Sequence, residues 1–124
     1  MAEQNQNDVQ IVPLTDKHVV GFHKCLDSVA HERLYIALVE APPLPRVREY
    51  IQSNIDNGAL QFVAIKDGSV IGWSDILPRV REGFTHCGKL GMGVQQEYRR
   101  LGIGKRLLER TLQAAKEKGL ERVE

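Results

Sequence analysis

A cluster of glycines and cations between residues 99 and 106 is the part of this sequence best suited to chemistry. Its members are Arg99, Arg100, Gly102, Gly104, Lys105 and Arg106. An amphipathic pattern follows through Lys118, which places the cluster at the start of a predicted helix. Backbone amides of a first helical turn lack intrahelical partners, and together with the helix dipole they attract phosphate. Because glycine has no Cβ, an oxygen atom can approach several amides at once. The stretch therefore predicts an anion site.

The same cluster has a simpler interpretation, in which the glycines form a connection and the arginines a solvated face. Two nucleotide-binding motifs are excluded by their spacing. A P-loop needs a glycine five places before the Gly-Lys pair and a Ser or Thr after it, but Arg99 and Arg106 hold those positions. Gly91-Met92-Gly93 opens a dinucleotide fingerprint whose third glycine would fall at Gln96.

The arrangement Arg99-x-x-Gly102-x-Gly104, preceded by Val94 and Tyr98, resembles the GCN5-related N-acetyltransferase (GNAT) family. The acetyl-CoA motif of that family is [Gln/Arg]-x-x-Gly-x-[Gly/Ala], placed between the fourth strand and the following helix. The resemblance implies that the amides of residues 99 to 105 hold the CoA pyrophosphate, and that residues 92 to 94 pair with the pantetheine arm like an added strand. The implied cofactor-binding residues are Met92, Gly93, Val94, Arg99, Arg100, Leu101, Gly102, Ile103, Gly104 and Lys105.

The resemblance also implies the fold class, α/β (α+β). We expect a GNAT-like acyl-CoA N-acyltransferase fold, with a central, mostly antiparallel sheet flanked by helices and truncated after the third main helix. Residues 1–124 are expected to form a single, partial N-acetyltransferase domain. In the family the fifth strand splays from the fourth, an asparagine follows it, and a tyrosine on the fourth helix often protonates the leaving thiolate. The fifth strand begins at Leu120, and the asparagine and the tyrosine have no counterpart in the printed sequence. A fourth strand left at a sheet edge favours pairing with a second copy, so we expect a homodimer formed by strand exchange.

The implied reaction is direct transfer of an acetyl group from acetyl-CoA to the primary amine of a small molecule or a protein. A general base must take a proton from the ammonium, and a backbone amide near Val94 would meet the oxyanion. Four candidate bases lie on segments expected to face the cleft: Glu40, Asp75, Glu82 and His86.

Each candidate base also has an alternative interpretation without chemistry. Glu40, our first choice, and Glu82 could be solvated loop acids, His86 a surface histidine, and Asp75 an edge residue. Acyl-enzyme chemistry with Cys87 as the nucleophile is rejected, because no serine, histidine and acid are grouped to support a covalent mechanism.

The composition limits the classes of partner. The sequence is 42% hydrophobic and 27% charged, which is typical of a soluble globular protein. A net charge of +1 does not favour nucleic acid or an anionic membrane. The polar first residues do not form a secretion signal, so we expect a cytoplasmic protein. Cys25 and Cys87 are not in a metal-ligand or redox spacing, so we expect free thiols and no metal site.

Residue periodicity predicts the elements that position the anion site. Strands are predicted at 9–14, 60–65, 70–76 and 89–94, with another beginning at 120, and helices at about 16–33, 45–56 and 103–118. Asp67-Gly68 predicts a hairpin turn, and residues 77–83 a polar connection. Gly91 and Gly93 weaken their strand, so we expect a ligand backbone or a splayed strand to approach them, with a bulge as the alternative.

Two further functions stay open at this point. A non-catalytic CoA-binding or interaction module would explain the missing C-terminal elements. A phosphate-binding domain for another nucleotide is the third interpretation.

Overall fold

A computed structural model describes residues 9–32, 41–81, 84–120 and 122–123, with side chains from 78 to 89 and at 122–123 outside the description. The strands are β1 (Gln10–Pro13), β2 (Leu60–Lys66), β3 (Ser69–Arg81), β4 (Phe84–Val94) and β5 (Arg122–Val123). The helices are α1 (Val19–His31), α2 (Leu44–Asp56) and α3 (Ile103–Lys118). Short 3₁₀ turns precede α1 at Asp16–His18 and α3 at Gln96–Tyr98.

The strands form one sheet in sequence order. Neighbours β1 to β4 are antiparallel, and β5 pairs with β4 in parallel at Cys87 and Gly88. The predicted hairpin turn between β2 and β3 is confirmed, because Asp67 and Gly68 both have positive φ, at 51° and 80°. This α+β architecture confirms the predicted fold class.

Helices cover both faces of the sheet. Along β2, Val63 faces α1 and α2, whereas Phe62 and Ala64 face α3. This alternation follows from the two-residue period of a strand. The cluster under α1 and α2 includes Phe22, Val29, Val47, Ile51 and Trp73. The cluster under α3 includes Phe62, Ala64, Ile71, Ile103 and Leu107.

The predictions for β3 and α3 need correction. Residues 77–81 continue strand β3 and do not form a connection, since β3 pairs with β4 as far as Arg81. In α3 the helical spacing of Leu108, Leu112 and Ala115, with Leu107 beside them, predicts the buried stripe; Leu107 and Ala115 are buried, but Leu112 is 40% exposed. The buried residues of α3 are Ile103, Leu107, Thr111, Ala114 and Ala115. Thr111 is accepted in the core because its hydroxyl donates to the Leu107 carbonyl at 2.7 Å.

The remaining helices agree more closely with their patterns. In α1 the helical spacing of apolar residues predicts a buried stripe of Val19, Phe22, Leu26, Val29 and Ala30. All are buried except Leu26, which is partly buried, and the thiol of Cys25 is fully buried beside them. In α2 the same spacing predicts one apolar face of Val47, Tyr50, Ile51 and Ile55. Val47 and Ile51 are buried, but Tyr50 and Ile55 are 45% and 40% exposed. None of the helices in the described ranges is long and apolar enough to cross a membrane.

Candidate functional site

The connection between β4 and α3 has a backbone shape suited to an anion. Arg100 and Gly102 both have positive φ, at 67° and 79°, and Gly102 is the N-cap of α3. The first hydrogen bond of the helix runs from the Arg106 amide to the Gly102 carbonyl at 3.1 Å. The amides of residues 103–105 therefore lie in the unsatisfied first turn, where the helix dipole is positive, whereas the Arg99 amide donates to the Gln96 carbonyl at 3.3 Å. We call residues 99–105 the anion loop.

The four cationic side chains of this region have different surroundings. Arg100 and Lys105 are exposed on the loop surface. Arg106 is half-buried and donates to the Val9 carbonyl at 2.9 Å. Arg99 donates through Nε to the Val94 carbonyl at 2.9 Å, and its two terminal nitrogens donate to Glu32. The side chains of Arg99 and Arg106 thus hold the loop against the protein, while those of Arg100 and Lys105 supply charge at its surface.

Strand β4 leads into the anion loop and presents a largely open edge. On one side it is bonded to β3, ending with the Gln95 amide donating to the Ile71 carbonyl at 2.8 Å. On the other side, β5 pairs only with Cys87 and Gly88 within the described part of the chain. The Val94 carbonyl on this side accepts from Arg99 Nε at 2.9 Å. Among the described residues no strand pairs with the other outward main-chain groups of residues 89–94, so an extended ligand could bind there.

The glycines of β4 are explained by side chains of β3. A Cβ on Gly93 would lie 2.4 Å from the Trp73 ring, and one on Gly91 would lie 3.0 Å from an Asp75 carboxylate oxygen. These residues are direct partners in the antiparallel ladder, and no register shift occurs there. The glycines thus make room for the two larger side chains opposite them, and neither a bulge nor a ligand is needed to account for their presence.

Gly104 has a different environment at the start of α3. A Cβ there would lie 3.5 Å from Met92 Cε and 3.9 Å from Val94 Cγ2, which are ordinary contact distances. Met92 and Val94 face α3, whereas Gly93 between them faces Trp73. An alanine would fit at residue 104, but a larger side chain would extend toward Met92 and Val94, where β4 leads into the anion loop.

A cavity of about 290 Å³ opens on the other face of the sheet, between α1, α2 and β3. Its lining is mostly apolar and aromatic, with Phe22 and Trp73 in edge-to-face contact at a centroid distance of 5.6 Å. Asp75 is the acidic group in this lining.

The Asp75 carboxylate is partly buried among these apolar groups. Burial raises its pKa from 3.8 to about 6, although the Gly91 amide donates to the carboxylate and opposes the shift. Partial burial, together with the charge of Asp75, also raises the pKa of Tyr50. An ionised carboxylate beside aromatic faces is a suitable environment for an ammonium group.

The structure places the predicted site residues in two adjoining regions. Residues 92–94 and 99–105 come together at the end of β4 and the start of α3. Asp75 lies beside Gly91 on the opposite face of the same sheet, close to this segment in the strand register. Glu40 and Glu82 lie outside the described residues. The backbone of His86 belongs to β4, but its side chain lies outside the description.

Sequence reasoning missed two residues near these regions. Glu32, which binds Arg99, follows the last turn of α1 and is 67 positions away in sequence. Arg46, in the first turn of α2, lines the same cavity as Asp75. Neither belongs to a local motif, so only the tertiary structure identifies them. In the described ranges, no three His, Cys, Asp or Glu side chains are grouped as metal ligands would be.

Comparison with known proteins bears on both regions. Residues 28–124 match the Acetyltransferase (GNAT) family. An N-alpha-acetyltransferase from Sulfurisphaera tokodaii is 39% identical over 45% of this chain and 38% of its own length. The match thus spans less than half of that curated relative.

Solved structures are similar over a larger part of the chain. A ribosomal-protein-alanine N-acetyltransferase from Brucella melitensis has a TM-score of 0.82 and 24% identity over 90% of this chain and 69% of its own. A GNAT superfamily phosphinothricin acetyltransferase from Sinorhizobium meliloti, in complex with acetyl-CoA, has a TM-score of 0.83 and 17% identity over 91% of this chain and 62% of its own. At these identities the likeness establishes the fold.

Proposed function

Because this chain belongs to the GNAT acetyltransferase family, we propose that it binds acetyl-CoA and transfers the acetyl group to a primary amine by direct attack. Residues 1–124 would act as a single, partial N-acetyltransferase domain. The observation that carries the proposal is the continuity of the open edge of β4 with the anion loop.

The cofactor fits the groups that these two elements provide. Of the amides of residues 99–105, those from residue 100 onward would hold the pyrophosphate, since the Arg99 amide already donates to the Gln96 carbonyl. Arg100 and Lys105 are exposed beside them and would reduce the cost of bringing several phosphate charges together. The backbone of Met92 to Val94 would pair with the pantetheine arm as an added strand does. A structural neighbour of this fold is known in complex with acetyl-CoA.

The acceptor amine would enter the cavity that contains Asp75 and Trp73. With a pKa of about 6, Asp75 is ionised at neutral pH, so it can bind an ammonium and accept its proton directly or through water. Asp75 is therefore our first candidate for the general base, ahead of Glu40 and His86. The amide near Val94 would donate to the carbonyl oxygen as negative charge develops there.

Acetyl-CoA, when bound, supplies an activated thioester whose carbonyl carbon the neutral amine attacks. The new carbon–nitrogen bond forms as the carbon–sulfur bond breaks. The ammonium first loses one proton to Asp75, which passes it to solvent. After the attack the nitrogen loses its second proton to Asp75, and the thiolate takes one proton from solvent. In this scheme the protein orients two substrates and accepts two protons in turn, and no covalent bond to the enzyme is formed.

The test is thiol release from acetyl-CoA with a panel of primary amines, comparing Gly104→Trp with Gly104→Ala. We expect amine-dependent release with the native chain and the alanine variant. The tryptophan variant should lose it without loss of helical structure, because its side chain would extend across the end of β4, beside the proposed binding segment of residues 92–94.

Three results would overturn parts of this assignment. Acetyl-CoA binding without transfer to any amine would favour the alternative, a non-catalytic CoA-binding or interaction module. Equal competition by ATP and by CoA lacking its 3′-phosphate would favour a site for another nucleotide. Unchanged acetyl-CoA affinity in Gly104→Trp would remove the anion loop as the binding site.

A further inference from the structure

The cavity on the α1–α2 face contains two opposite charges in an otherwise apolar lining. Asp75 on β3 supplies the negative charge, and Arg46 in the first turn of α2 supplies the positive one. Both residues border the same space of about 290 Å³. A single small ligand in this space can therefore contact both groups.

The Asp75 end is suited to an ammonium group. Its carboxylate accepts a hydrogen bond from the Gly91 amide and is partly enclosed by apolar side chains. An ammonium beside it would therefore offset the free-energy cost of burying the charged carboxylate. Trp73 lines the cavity beside it and is only 5% exposed. Its indole, like the Tyr50 ring on α2, adds the aromatic surface that favours a cation.

The Arg46 end is suited to a carboxylate. Arg46 is exposed at the rim, where a guanidinium can bind a carboxylate through two parallel hydrogen bonds. It lies near the start of the 13-residue helix α2, whose positive dipole end would add to the attraction. The charges at the two ends would thus be matched by the two charges of one zwitterion.

The walls between the two ends are apolar, formed by residues including Phe22, Leu26 and Val47. A volume of about 290 Å³ is at the lower end of the range for small-molecule sites.

We propose that the acceptor is a free α-amino acid with an apolar side chain. Its ammonium would lie at Asp75, its carboxylate at Arg46 and its side chain against Phe22 and Leu26. The assignment as acceptor rests on the proposed acetyl transfer, but the binding itself can be tested without it.

A peptide N-terminus is the competing acceptor, and it differs in one group. Its ammonium and first side chain are the same as in a free amino acid, but an amide replaces the adjacent carboxylate. Such a ligand would leave Arg46 unmatched. The presence of Arg46 in the lining therefore favours the free amino acid.

The experiment uses Trp73, the single tryptophan of the chain, as a fluorescent reporter within the cavity. Leucine, leucinamide, isopentylamine and N-acetylleucine would be titrated against the full chain, and equilibrium dialysis with labelled leucine would measure binding independently of the fluorescence. Leucine should bind about tenfold or more tightly than leucinamide, which corresponds to about 1.4 kcal/mol. Isopentylamine and N-acetylleucine, each lacking one charge, should also bind more weakly.

Variants separate the two ends of the ligand. Arg46→Gln should abolish the advantage of leucine over leucinamide and leave leucinamide affinity unchanged. Arg48→Gln is the matched control, because Arg48 is exposed on the same helix but does not line the cavity, and it should change neither affinity. Asp75→Asn should weaken leucine and leucinamide alike.

Equal affinity for leucine and leucinamide in the native chain would overturn the proposal in favour of a peptide N-terminus or a simple amine. Absence of leucine binding by both methods, in a chain that binds acetyl-CoA, would overturn it while leaving the cofactor site intact. Conversely, leucine binding without acetyl-CoA binding would support this cavity as an amino-acid site and would refute the proposed acetyl transfer. The two proposals therefore fail separately.

Discussion

Arg99 and Glu32 form a two-pronged ion pair, in which both terminal nitrogens of the guanidinium lie 2.6 Å from a carboxylate oxygen. The third donor of Arg99, its Nε, bonds to the Val94 carbonyl at 2.9 Å. One side chain thereby joins the end of α1 to the end of β4. The anion loop is thus held by a contact with α1, the helix that also lines the cavity containing Asp75.

Breaking this ion pair should weaken cofactor binding more than it weakens the fold. In Glu32→Gln we expect acetyl-CoA affinity to fall by about five- to tenfold, roughly 1 kcal/mol, because the anion loop loses its anchor on α1. Arg99→Lys should have a similar effect, since lysine keeps the charge but cannot make the paired hydrogen bonds. Calorimetric titration would measure both variants.

The control for these variants is His31→Gln, at an exposed position in the last turn of the same helix. Its acetyl-CoA affinity should match that of the native chain. Native affinity in Glu32→Gln, or an equal loss in the control, would contradict a positioning role for the ion pair.

The ion pair also predicts a pH dependence of stability. Hydrogen bonding from Arg99 lowers the pKa of Glu32 below its ordinary value of 4.5. The unfolded chain therefore protonates this carboxyl first as the pH falls. The stabilisation is fully present above pH 4.5 and is lost as the pH falls through the lower, folded-state pKa. Denaturant unfolding of the native chain and Glu32→Gln should converge in acid, and a constant difference at every pH would exclude this linkage.

Ionised Asp75 should destabilise the folded chain, whereas ionised Glu32 stabilises it, because burial raises the pKa of Asp75 from 3.8 to about 6. Between these values the folded chain binds more protons, so the free energy of unfolding falls as the pH rises across this window. Asp75→Asn removes the charge and keeps an acceptor for the Gly91 amide. At pH values above the window the variant should be more stable by about 1–3 kcal/mol, while its amine-dependent activity is lost. A variant less stable than the native chain at neutral pH would contradict the buried-charge explanation.

Replacement by alanine should change the stability differently at Gly93, in β4, and at Gly104, in the anion loop. Gly93→Ala would place a Cβ 2.4 Å from the Trp73 ring, so we expect a loss of about 1–3 kcal/mol of stability. Gly104→Ala meets nothing closer than Met92 at 3.5 Å and should be neutral or stabilising by up to about 1 kcal/mol. Thermal unfolding of the pair would test this, and equal stabilities would mean that Trp73 does not constrain residue 93.

If the expected homodimer forms through the open edge of β4, its stability should depend on acetyl-CoA. If a second copy pairs along residues 89–94, it occupies the edge proposed for the pantetheine arm. Acetyl-CoA should then shift the mass in solution from dimer to monomer. Light scattering with and without acetyl-CoA would measure the shift. A monomer under both conditions would contradict strand exchange, and a dimer unaffected by saturating acetyl-CoA would place its interface elsewhere.

Local patterns predicted most of the fold because each had a local physical cause. Asp67 and Gly68 tolerate positive φ, so they defined the hairpin, and Gly119, which follows the basic end of α3, ends that helix in a left-handed conformation. The anion loop could be predicted because its glycines and cations lie within a few residues of one another, and its role in binding stays a prediction. These features depend on the chain's immediate neighbourhood.

The incorrect or missing predictions depend on contacts between distant segments. Pro78 suggested a connection, but pairing with β4 extends β3 past it to Arg81. Thr111 is polar and its residue type does not predict burial, but a hydrogen bond from its hydroxyl to the Leu107 carbonyl lets it lie in the core. The partner of Arg99 and the role of Gly93 beside Trp73 depend on packing between elements, which a single sequence does not reveal.

The most direct test of the proposed function is calorimetric titration of the full chain with acetyl-CoA, beside Gly104→Trp and Gly104→Ala. We predict saturable binding by the native chain and the alanine variant, and none by the tryptophan variant, which should keep its helical structure. The proposed acetyl-CoA site would be contradicted by a folded native chain that produces no binding heat at any temperature tested and retains no acetyl-CoA in equilibrium dialysis.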